Sequence, residues 1–381
     1  MTTPATHNGH NTTTERVLFL AFELRETSWK LGFTIGHGHK PRERIVTVRH
    51  PARLLQAIAQ AKKRCDLPES AAVVSCDEAG REGFWLHRFL QAQGITNHGV
   101  DSSSIEVNRR QRRAKSDALD VRKLVSMLMR YAQGEREGWR VVHGPTVEAE
   151  DGRHLHRALE TLTQERASTT TRIKGLLSRQ GVQLKSLSTF AEQLESLRLW
   201  DGSPIPDGLR RRFLRVWAHH EFLSQQIAAL AAERREMLQS SQDASVEKVR
   251  QLMCLTGIGS NGAWLVVMEF FGWRACKKRR EVGGFAGLTP TPYQSGESAR
   301  DQGLTKSGNR HVRWMTTERA WSWLRYQPES ALRVWFRERF GGGGQRLRRI
   351  GIVAVARKLL IALWRFLETG VLPEGAERKA A

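Results

Sequence analysis

The chain has 381 residues, with 61 Lys and Arg against 39 Asp and Glu, so that its net charge at pH 7 is +22. This length allows two or three domains, and the cation excess points to a polyanionic partner, DNA or RNA rather than a membrane surface. A genome rich in G and C, which favours Arg, is the alternative explanation. The four scattered cysteines form no zinc pattern, and neither a signal-peptide core nor an 18-residue apolar run is present. We therefore expect a cytoplasmic protein with reduced thiols.

The first part of the chain predicts an α/β domain at 16–145, preceded by a polar, frayed tail at 1–15. Apolar or alternating stretches predict strands, and apolar residues at helical spacing predict helices. The predicted strands are 17–24, 29–35, 44–49, 71–77 and 95–100, and the predicted helices are 51–64 and 84–90. Three strands followed by helix, strand, helix and strand is the order of a ribonuclease H-like domain.

The middle of the chain, 146–243, predicts long helices. Two apolar heptad seams run through it, separated by a break that contains Gly and Pro. Arg166 and Thr169 occupy positions in the first seam, and His220 and Arg234 fill gaps in the second. This spacing predicts a coiled coil or a long helical hairpin. The helices could pair within the chain or with a second subunit, and we favour the second subunit.

The last part of the chain, 244–381, is predicted to be mostly helical. Gly257 and Gly259 would form a tight turn before an apolar helix, as in a helix-hairpin-helix whose backbone N–H groups accept a phosphate, although any tight turn could use two such glycines. The four glycines at 341–344 suggest a flexible joint. The final helix is expected to carry one apolar stripe, made of Ile350, Val353, Leu360, Leu363 and Leu367.

Two carboxylates, Asp117 and Asp120, directly follow an arginine-rich run. Residues three apart in a helix project from the same side, so this pair could hold Mg²⁺, or Mn²⁺, together with a substrate phosphate. A helix-start Asp with an exposed acid beside it would give the same pattern. The cations of the run are expected to hold a nucleic-acid backbone, and they are Arg109, Arg110, Arg112, Arg113 and Lys115.

Two further acids fall where the predicted sheet needs them. Glu23 lies inside an otherwise apolar strand, where a carboxylate without a partner is costly, so a metal ion or a cation must compensate it. Glu78 lies just past the fourth predicted strand. Asp77 is a rival ligand, but alternation along a strand points only one of these two neighbours toward the site. We prefer Glu78 because it opens the turn into the next helix.

A serine stands among cations at 287–314. Ser295, beside a glycine, could attack a phosphodiester while fixed cations offset charge on the non-bridging oxygens. His311 is the nearby candidate for a general base, and a Ser-Gly turn in a basic DNA-binding loop is the alternative. Six tryptophans interleave with this region, most of them expected in the core and one or two on bases. The cations are Arg300, Lys306, Arg310 and Arg313.

Several stretches of the chain together resemble the DEDD transposases of the one-ten family of bacterial insertion sequences, which are understood as bridge-RNA-guided serine recombinases. The K-S-D-x-x-D and GLTP…QSG elements, in this order, are the strongest signals. The similar stretches, from about residue 17 to 325, are FLAFELRETSWKLGF, DEAGREGFWLHRFL, RRAKSDALDVRKL, LTGIGSNGAWL, FAGLTPTPYQSGES and TKSGNRHVRWM.

This resemblance implies a RuvC-like first domain, central coiled-coil helices and a C-terminal transposase domain. It implies that Glu23, Glu78, Asp117 and Asp120 hold Mg²⁺ and that Ser295 forms a covalent phosphoserine link with DNA. It further implies composite sites shared between subunits of a dimer or tetramer, and a structured guide RNA that pairs with donor and target DNA. The first acid of the family is typically Asp, so the longer arm of Glu23 is a departure.

Three functions follow from these observations. We prefer a DNA transposase that acts by Mg²⁺-dependent phosphoryl transfer and associates with the bacterial nucleoid when bound to DNA. The second is a junction-resolving nuclease that uses metal-activated water, and the third is a catalytically inactive transposase remnant that binds nucleic acid.

Overall fold

The chain divides into two compact units, residues 1–144 and 145–381. None of the helices in the described parts of the chain is both long and apolar enough to cross a bilayer. At 103, 117–119, 292–295 and 298–302 the backbone alone is described. The computed structural model describes residues 16–80, 84–105, 117–136, 139–184, 186–274, 276–295, 298–306 and 308–379.

A six-stranded mixed sheet forms the centre of the first unit. Its strands are β1 (Leu18–Leu24), β2 (Ser28–Thr34), β3 (Arg42–Thr47), β4 (Val73–Ala79), β5 (Thr96–Asp101) and β6 (Val141–Val142). Their spatial order is β3-β2-β1-β4-β5-β6. The first three strands form an antiparallel meander, β4 and β5 run parallel to β1, and the short β6, which the sequence did not predict, is an antiparallel edge.

Helices cover both faces of this sheet. On one face, α1 (Pro51–Arg64) and α2 (Trp85–Ala92) pack on the inward side chains of β1, which include Leu20 and Phe22. On the other face, α3 (Asp117–Ala132) packs on Ala21 and Cys76. The predicted strands and helices before residue 101 are therefore confirmed, because alternating and helical apolar patterns match the two faces.

The second unit is mostly helical, as predicted, and contains one two-stranded hairpin. The hairpin consists of β7 (Pro290–Ser295) and β8 (Ser298–Leu304). A π-helical turn, Val267–Phe271, continues the eighth helix. The helices are α4 (Val147–Ser178), α5 (Phe190–Gln193), α6 (Asp207–Ser240), α7 (Ala244–Met253), α8 (Ser260–Val266), α9 (Arg279–Phe285), α10 (Arg310–Tyr326), α11 (Ala331–Phe340) and α12 (Gln345–Thr369).

The two longest helices, α4 and α6, pack against each other within the chain, which is the alternative that we did not favour. Thr169 and Arg234, two of the polar seam residues, are buried between them. Where α4 ends and α6 begins, Ile173 and Phe213 belong to one hydrophobic cluster with Phe190 of α5. The apolar seam of α4 therefore packs against the apolar seam of α6, and each helix covers most of the other's seam.

The apolar stripe predicted for α12 is wrong at its beginning. Ile350 is 55% exposed, whereas Leu360 and Leu363 are buried. Helix α11 approaches α12 closely at Gly351, where a Cβ atom would lie 2.6 Å from Phe340. Because Gly351 occupies the inward side of this turn, its neighbour Ile350 points outward. The four glycines at 341–344 form the turn between these helices, and their flexibility stays a prediction.

Candidate functional site

Glu23 and Glu78 lie near the carboxyl ends of two adjacent parallel strands, on the same face of the sheet. Ala21 and Cys76 pack against α3, and Glu23 and Glu78 lie two positions after them on the same strands. Because side chains two positions apart point to the same face of a strand, both acids point toward α3. Phe22 pairs with Asp77, which places Glu23 and Glu78 next to each other in register. Glu23 is half-buried and Glu78 is exposed.

Asp77 lies on the opposite face, toward α2. Its Oδ1 accepts a hydrogen bond from Asn97 Nδ2 at 2.7 Å, and the same Nδ2 lies 3.2 Å from His87 Nδ1. Burial raises the pKa of Asp77 to about 6, against the opposing effect of the Asn97 hydrogen bond. The expected alternation is therefore present, and it separates Asp77 from Glu78. The functional role of either acid stays a prediction.

Helix α3 carries the other two predicted acids. Asp117 is its first residue, and the half-buried Asp120 lies directly before Val121. Val121 packs so closely on β2 that a Cβ atom on Gly32 would overlap it. Since Gly32 pairs with Ala21, two residues before Glu23, the first turns of α3 lie over the face that bears Glu23 and Glu78.

An ion-pair network holds α3 against the sheet. Glu43 of β3 contacts Lys30 Nζ at 2.7 Å through Oε2 and Arg122 Nε at 2.6 Å through Oε1. The hydrogen bond from Lys30, followed by that from Arg122 and by both charges, holds the pKa of Glu43 below its usual value despite partial burial. Because Arg122 is two residues from Asp120, this network positions the acidic turn of α3.

Carboxylate oxygens suit a hard cation such as Mg²⁺, and the register puts the acids on one face. Among the side chains that the structure describes, no three Asp, Glu, His or Cys groups lie close enough to hold a metal ion, and Asp117 is not among these side chains. The metal therefore stays a prediction. The basic run lies outside the described residues: Arg109, Arg110, Arg112, Arg113 and Lys115.

Ser295 ends strand β7 and pairs with Ser298, the first residue of β8, so it lies in a hairpin rather than in the expected loop. Five residues of strand, about 16 Å, separate it from Pro290 at the base of the hairpin. Arg300 lies on β8 opposite Tyr293. The backbone of Ser295 therefore lies at the end of the hairpin away from Pro290, while the chemistry of Ser295 stays a prediction.

The base of the hairpin is fixed by contacts with α10. Arg313 Nη1 donates to the carbonyl oxygens of Lys306 at 3.1 Å and Ala286 at 3.3 Å, so this predicted DNA-binding cation has a structural contact. Gly308 adopts a φ of +117°, and a Cβ atom there would overlap the carbonyl oxygen of Phe285. Glycine is required at this position for both reasons. Lys306 and Arg310 are exposed.

Sequence reasoning missed a buried acid in the second unit. Glu269, in the π-helical turn, is fully buried and accepts hydrogen bonds from Arg157 Nε at 2.7 Å and Nη2 at 3.0 Å. Asn309 caps α10 by accepting backbone hydrogen bonds at its Oδ1. Its Nδ2 donates a hydrogen bond to Glu269 Oε2 at 2.8 Å. Burial alone would raise the pKa of Glu269, but these hydrogen bonds and the charges of Arg157 and Arg153 lower it.

This acid carried the same signal as Glu23, since it interrupts the apolar run WLVVMEFF. His311, the candidate base, lies next to the network and contacts Glu160 Oε2 through Nδ1 at 3.1 Å. It belongs to the α10 end that meets the hairpin base, whereas Ser295 lies at the far end of the hairpin. A role for His311 as base within the same chain is therefore not supported.

The predicted helix-hairpin-helix turn joins α7 to α8. Gly257 has a φ of +84°, and Gly259 is the N-cap residue of α8. Lys379 Nζ donates to the carbonyl oxygens of Met253 at 2.6 Å and Ile258 at 2.9 Å, so the C-terminal segment braces this turn. Phosphate binding by the two glycines stays a prediction.

Comparisons with known proteins match the chain to transposases. A profile described as the Transposase IS116/IS110/IS902 family matches residues 249–334. The putative transposase y4rJ of Sinorhizobium fredii is 38% identical over 375 residues, which cover 95% of this chain and 94% of that protein. The transposase for insertion sequence element IS1328 of Yersinia enterocolitica is 26% identical over 42% of this chain and 46% of its own length.

A third relative, the transposase for insertion sequence element IS1111A of Coxiella burnetii, is 22% identical over 50% of this chain and 51% of its own length. The similarity to y4rJ extends over both units of the chain. The family profile covers the turn at Gly257, the β7–β8 hairpin and α10. The chain therefore belongs to the IS116/IS110/IS902 family of transposases.

Proposed function

We propose that this transposase cuts and rejoins DNA through Ser295, which would form a covalent link with the DNA strand. The position of Ser295 is the observation that supports the proposal. Its backbone ends strand β7, about 16 Å along the strand from Pro290 at the hairpin base and next to the connection to β8. Membership of a transposase family supplies DNA as the substrate.

In the proposed step, the Ser295 Oγ forms a bond to phosphorus as the bond between phosphorus and one sugar oxygen breaks. The hydroxyl proton of Ser295 passes to a general base, and the departing sugar oxygen takes up a proton. Attack by a hydroxyl of the partner strand on the phosphoserine would reverse these changes and rejoin the DNA. No nucleotide energy source is needed, because one phosphoester replaces another.

The acids of the first unit would complete this site. The strand order supports a RuvC-like assignment, and Glu23, Glu78, Asp117 and Asp120 would hold Mg²⁺ or Mn²⁺. The bound metal would offset negative charge on the scissile phosphate. The family resemblance supports composite sites in a dimer or tetramer and guidance by a structured RNA, with the protein gripping backbones through its cations.

Trapping the covalent intermediate tests this proposal. End-labelled DNA that carries the element junction is incubated with protein, the structured guide RNA and Mg²⁺, and adducts are resolved on a denaturing gel. We expect an adduct that Ser295→Ala abolishes while DNA binding stays nearly intact, and that the matched variant Ser298→Ala retains. Cleavage without an adduct would instead indicate a nuclease that uses activated water. Tight, salt-sensitive binding without any cutting would indicate an inactive remnant.

A further inference from the structure

A groove of about 1350 Å³ lies at the base of the β7–β8 hairpin. Pro290 at the start of β7 and Leu304 at the end of β8 form one edge of it, and α9, α11 and the first turns of α12 form the rest. None of the nucleic-acid contacts considered above includes the residues of these three helices. The groove therefore needs its own explanation.

The groove is strongly basic. The described residues that line it include six cations and no Asp or Glu. Within the described part of the chain, none of the six forms an ion pair. Like charges gathered without acidic partners favour binding of a polyanion. The six cations are Arg279, Arg280, Arg346, Arg349, Arg357 and Lys358.

The floor of the groove is apolar. Ile350 is 55% exposed there, and Val353 and Ile361 continue the apolar lining along the same helix. Trp335 of α11 lines the same groove, with Lys358 Nζ 4.6 Å from the centre of its ring. More than half of the surface of Ile350 stays in contact with water among arginines. This surface therefore fits a ligand that has apolar faces as well as negative charge.

We infer that this groove binds an unpaired DNA strand that leads to the phosphate attacked by Ser295. A single strand offers both parts of the required chemistry, since its phosphates meet the arginines and its bases lie on the apolar floor. A duplex keeps its bases stacked inside and presents mainly phosphates to a protein. The inference rests on the proposed function, because the hairpin that borders the groove ends at Ser295.

The charge of the groove is tested by equilibrium binding. All proteins carry Ser295→Ala, so that no cleavage occurs, and the probes are labelled oligo-dT, oligo-U of equal length and a DNA duplex. We expect Arg346→Gln/Arg349→Gln to weaken oligo-dT binding about tenfold. The slope of log K against log salt should fall by about 1.4, because each lost phosphate contact on a single strand removes about 0.7.

The matched control is Arg211→Gln/Arg212→Gln, which removes the same charge from an exposed part of α6. It should leave the affinity for oligo-dT within about twofold, because these arginines lie outside the groove. An equal loss in both double variants would overturn the inference, since binding would then follow net charge alone. Tighter binding of oligo-U, lost in the groove variant, would assign the groove to RNA and would also overturn it.

The apolar floor is tested separately by Ile350→Ser. We expect it to weaken oligo-dT binding about threefold with an unchanged salt slope, while duplex binding stays the same. Ile45→Ser is the matched control, because Ile45 is 68% exposed in the first unit. Loss of duplex binding that equals or exceeds the loss of oligo-dT binding would overturn the single-strand inference. A missing Ser295 adduct would count against the proposed function and leave these binding results intact.

Discussion

Asp77 and Glu78 are chain neighbours, yet they meet opposite environments because a strand alternates its faces. Asp77 is 4% exposed, and burial raises its pKa from 3.8 to about 6. Between these two pH values the folded state binds a proton that the unfolded state has released. Folding stability therefore falls as pH rises through this window. At neutral pH the ionised Asp77 lowers the free energy of unfolding by up to about 3 kcal/mol, compared with the protonated form below pH 3.8.

Asp77→Asn should remove this cost, because its amide oxygen can still accept the hydrogen bond from Asn97. We expect the free energy of unfolding to rise by up to about 3 kcal/mol at pH 7.5 and to stay unchanged near pH 4. Urea unfolding at a series of pH values measures the difference. The control variant is Glu78→Gln, which removes an exposed carboxylate from the other face of the same strand. A loss of stability in Asp77→Asn at pH 7.5 would mean that the charged carboxylate is needed.

Three elements of the second unit meet at Glu269. The π-helical turn supplies the acid, α4 supplies Arg157, and the N-cap residue of α10 supplies Asn309. The lowered pKa means that this contribution to stability is present above about pH 4.5, the unfolded value, and is lost on acidification. The network thus ties the long helical pair to the helix that holds the hairpin base.

Arg157→Ala should leave Glu269 as a buried charge without its cation. We expect a loss of about 2 kcal/mol in unfolding free energy, less than for a fully buried pair, because Arg157 is 40% exposed. Arg157→Ala/Glu269→Gln should recover part of this loss, which chemical denaturation of all four members of the cycle would measure. Arg210→Ala, which breaks an exposed pair with Glu195, is the control and should cost under about 1 kcal/mol. Additive effects would argue against coupling between Arg157 and Glu269.

Across the whole molecule, the acids and the serine belong to different compact units, which divide at Gly144 and Pro145. Glu23, Glu78 and the acids of α3 all lie in the first unit, and Ser295 lies in the second. The family resemblance implies that acids of one subunit meet the serine of another.

Mixing two inactive variants tests this arrangement. Asp120→Asn and Ser295→Ala should each abolish strand exchange alone. A mixture in equal amounts should recover up to about a quarter of the wild-type activity, because half of randomly formed dimers are mixed and each holds one intact composite site. Recombination of labelled donor and target DNA in the presence of the guide RNA measures the recovery. A mixture that forms mixed oligomers but stays inactive would indicate that each subunit uses its own acids.

Local patterns were sufficient for much of the fold. The apolar strands at β1 and β4 and the helical spacing of α1 lie within two residues of their predicted bounds. The Ser295 hairpin was missed because Gly and Ser around the serine resemble a loop, and its pairing depends on β8. The prediction that Ile350 belongs to the buried stripe of α12 was wrong, because periodicity alone does not show which neighbouring helix packs on each face.

The sequence by itself determined the basic character of the chain, the order of its elements and the chemical types of the candidate residues, since these depend on composition and on short-range periodicity. Tertiary structure decided which of Asp77 and Glu78 points toward α3, that α4 pairs with α6 inside one chain, and that Glu269 is compensated by Arg157. The groove beside the hairpin is likewise a tertiary feature. Its cations come from separate helices, and only packing brings such distant residues to one surface.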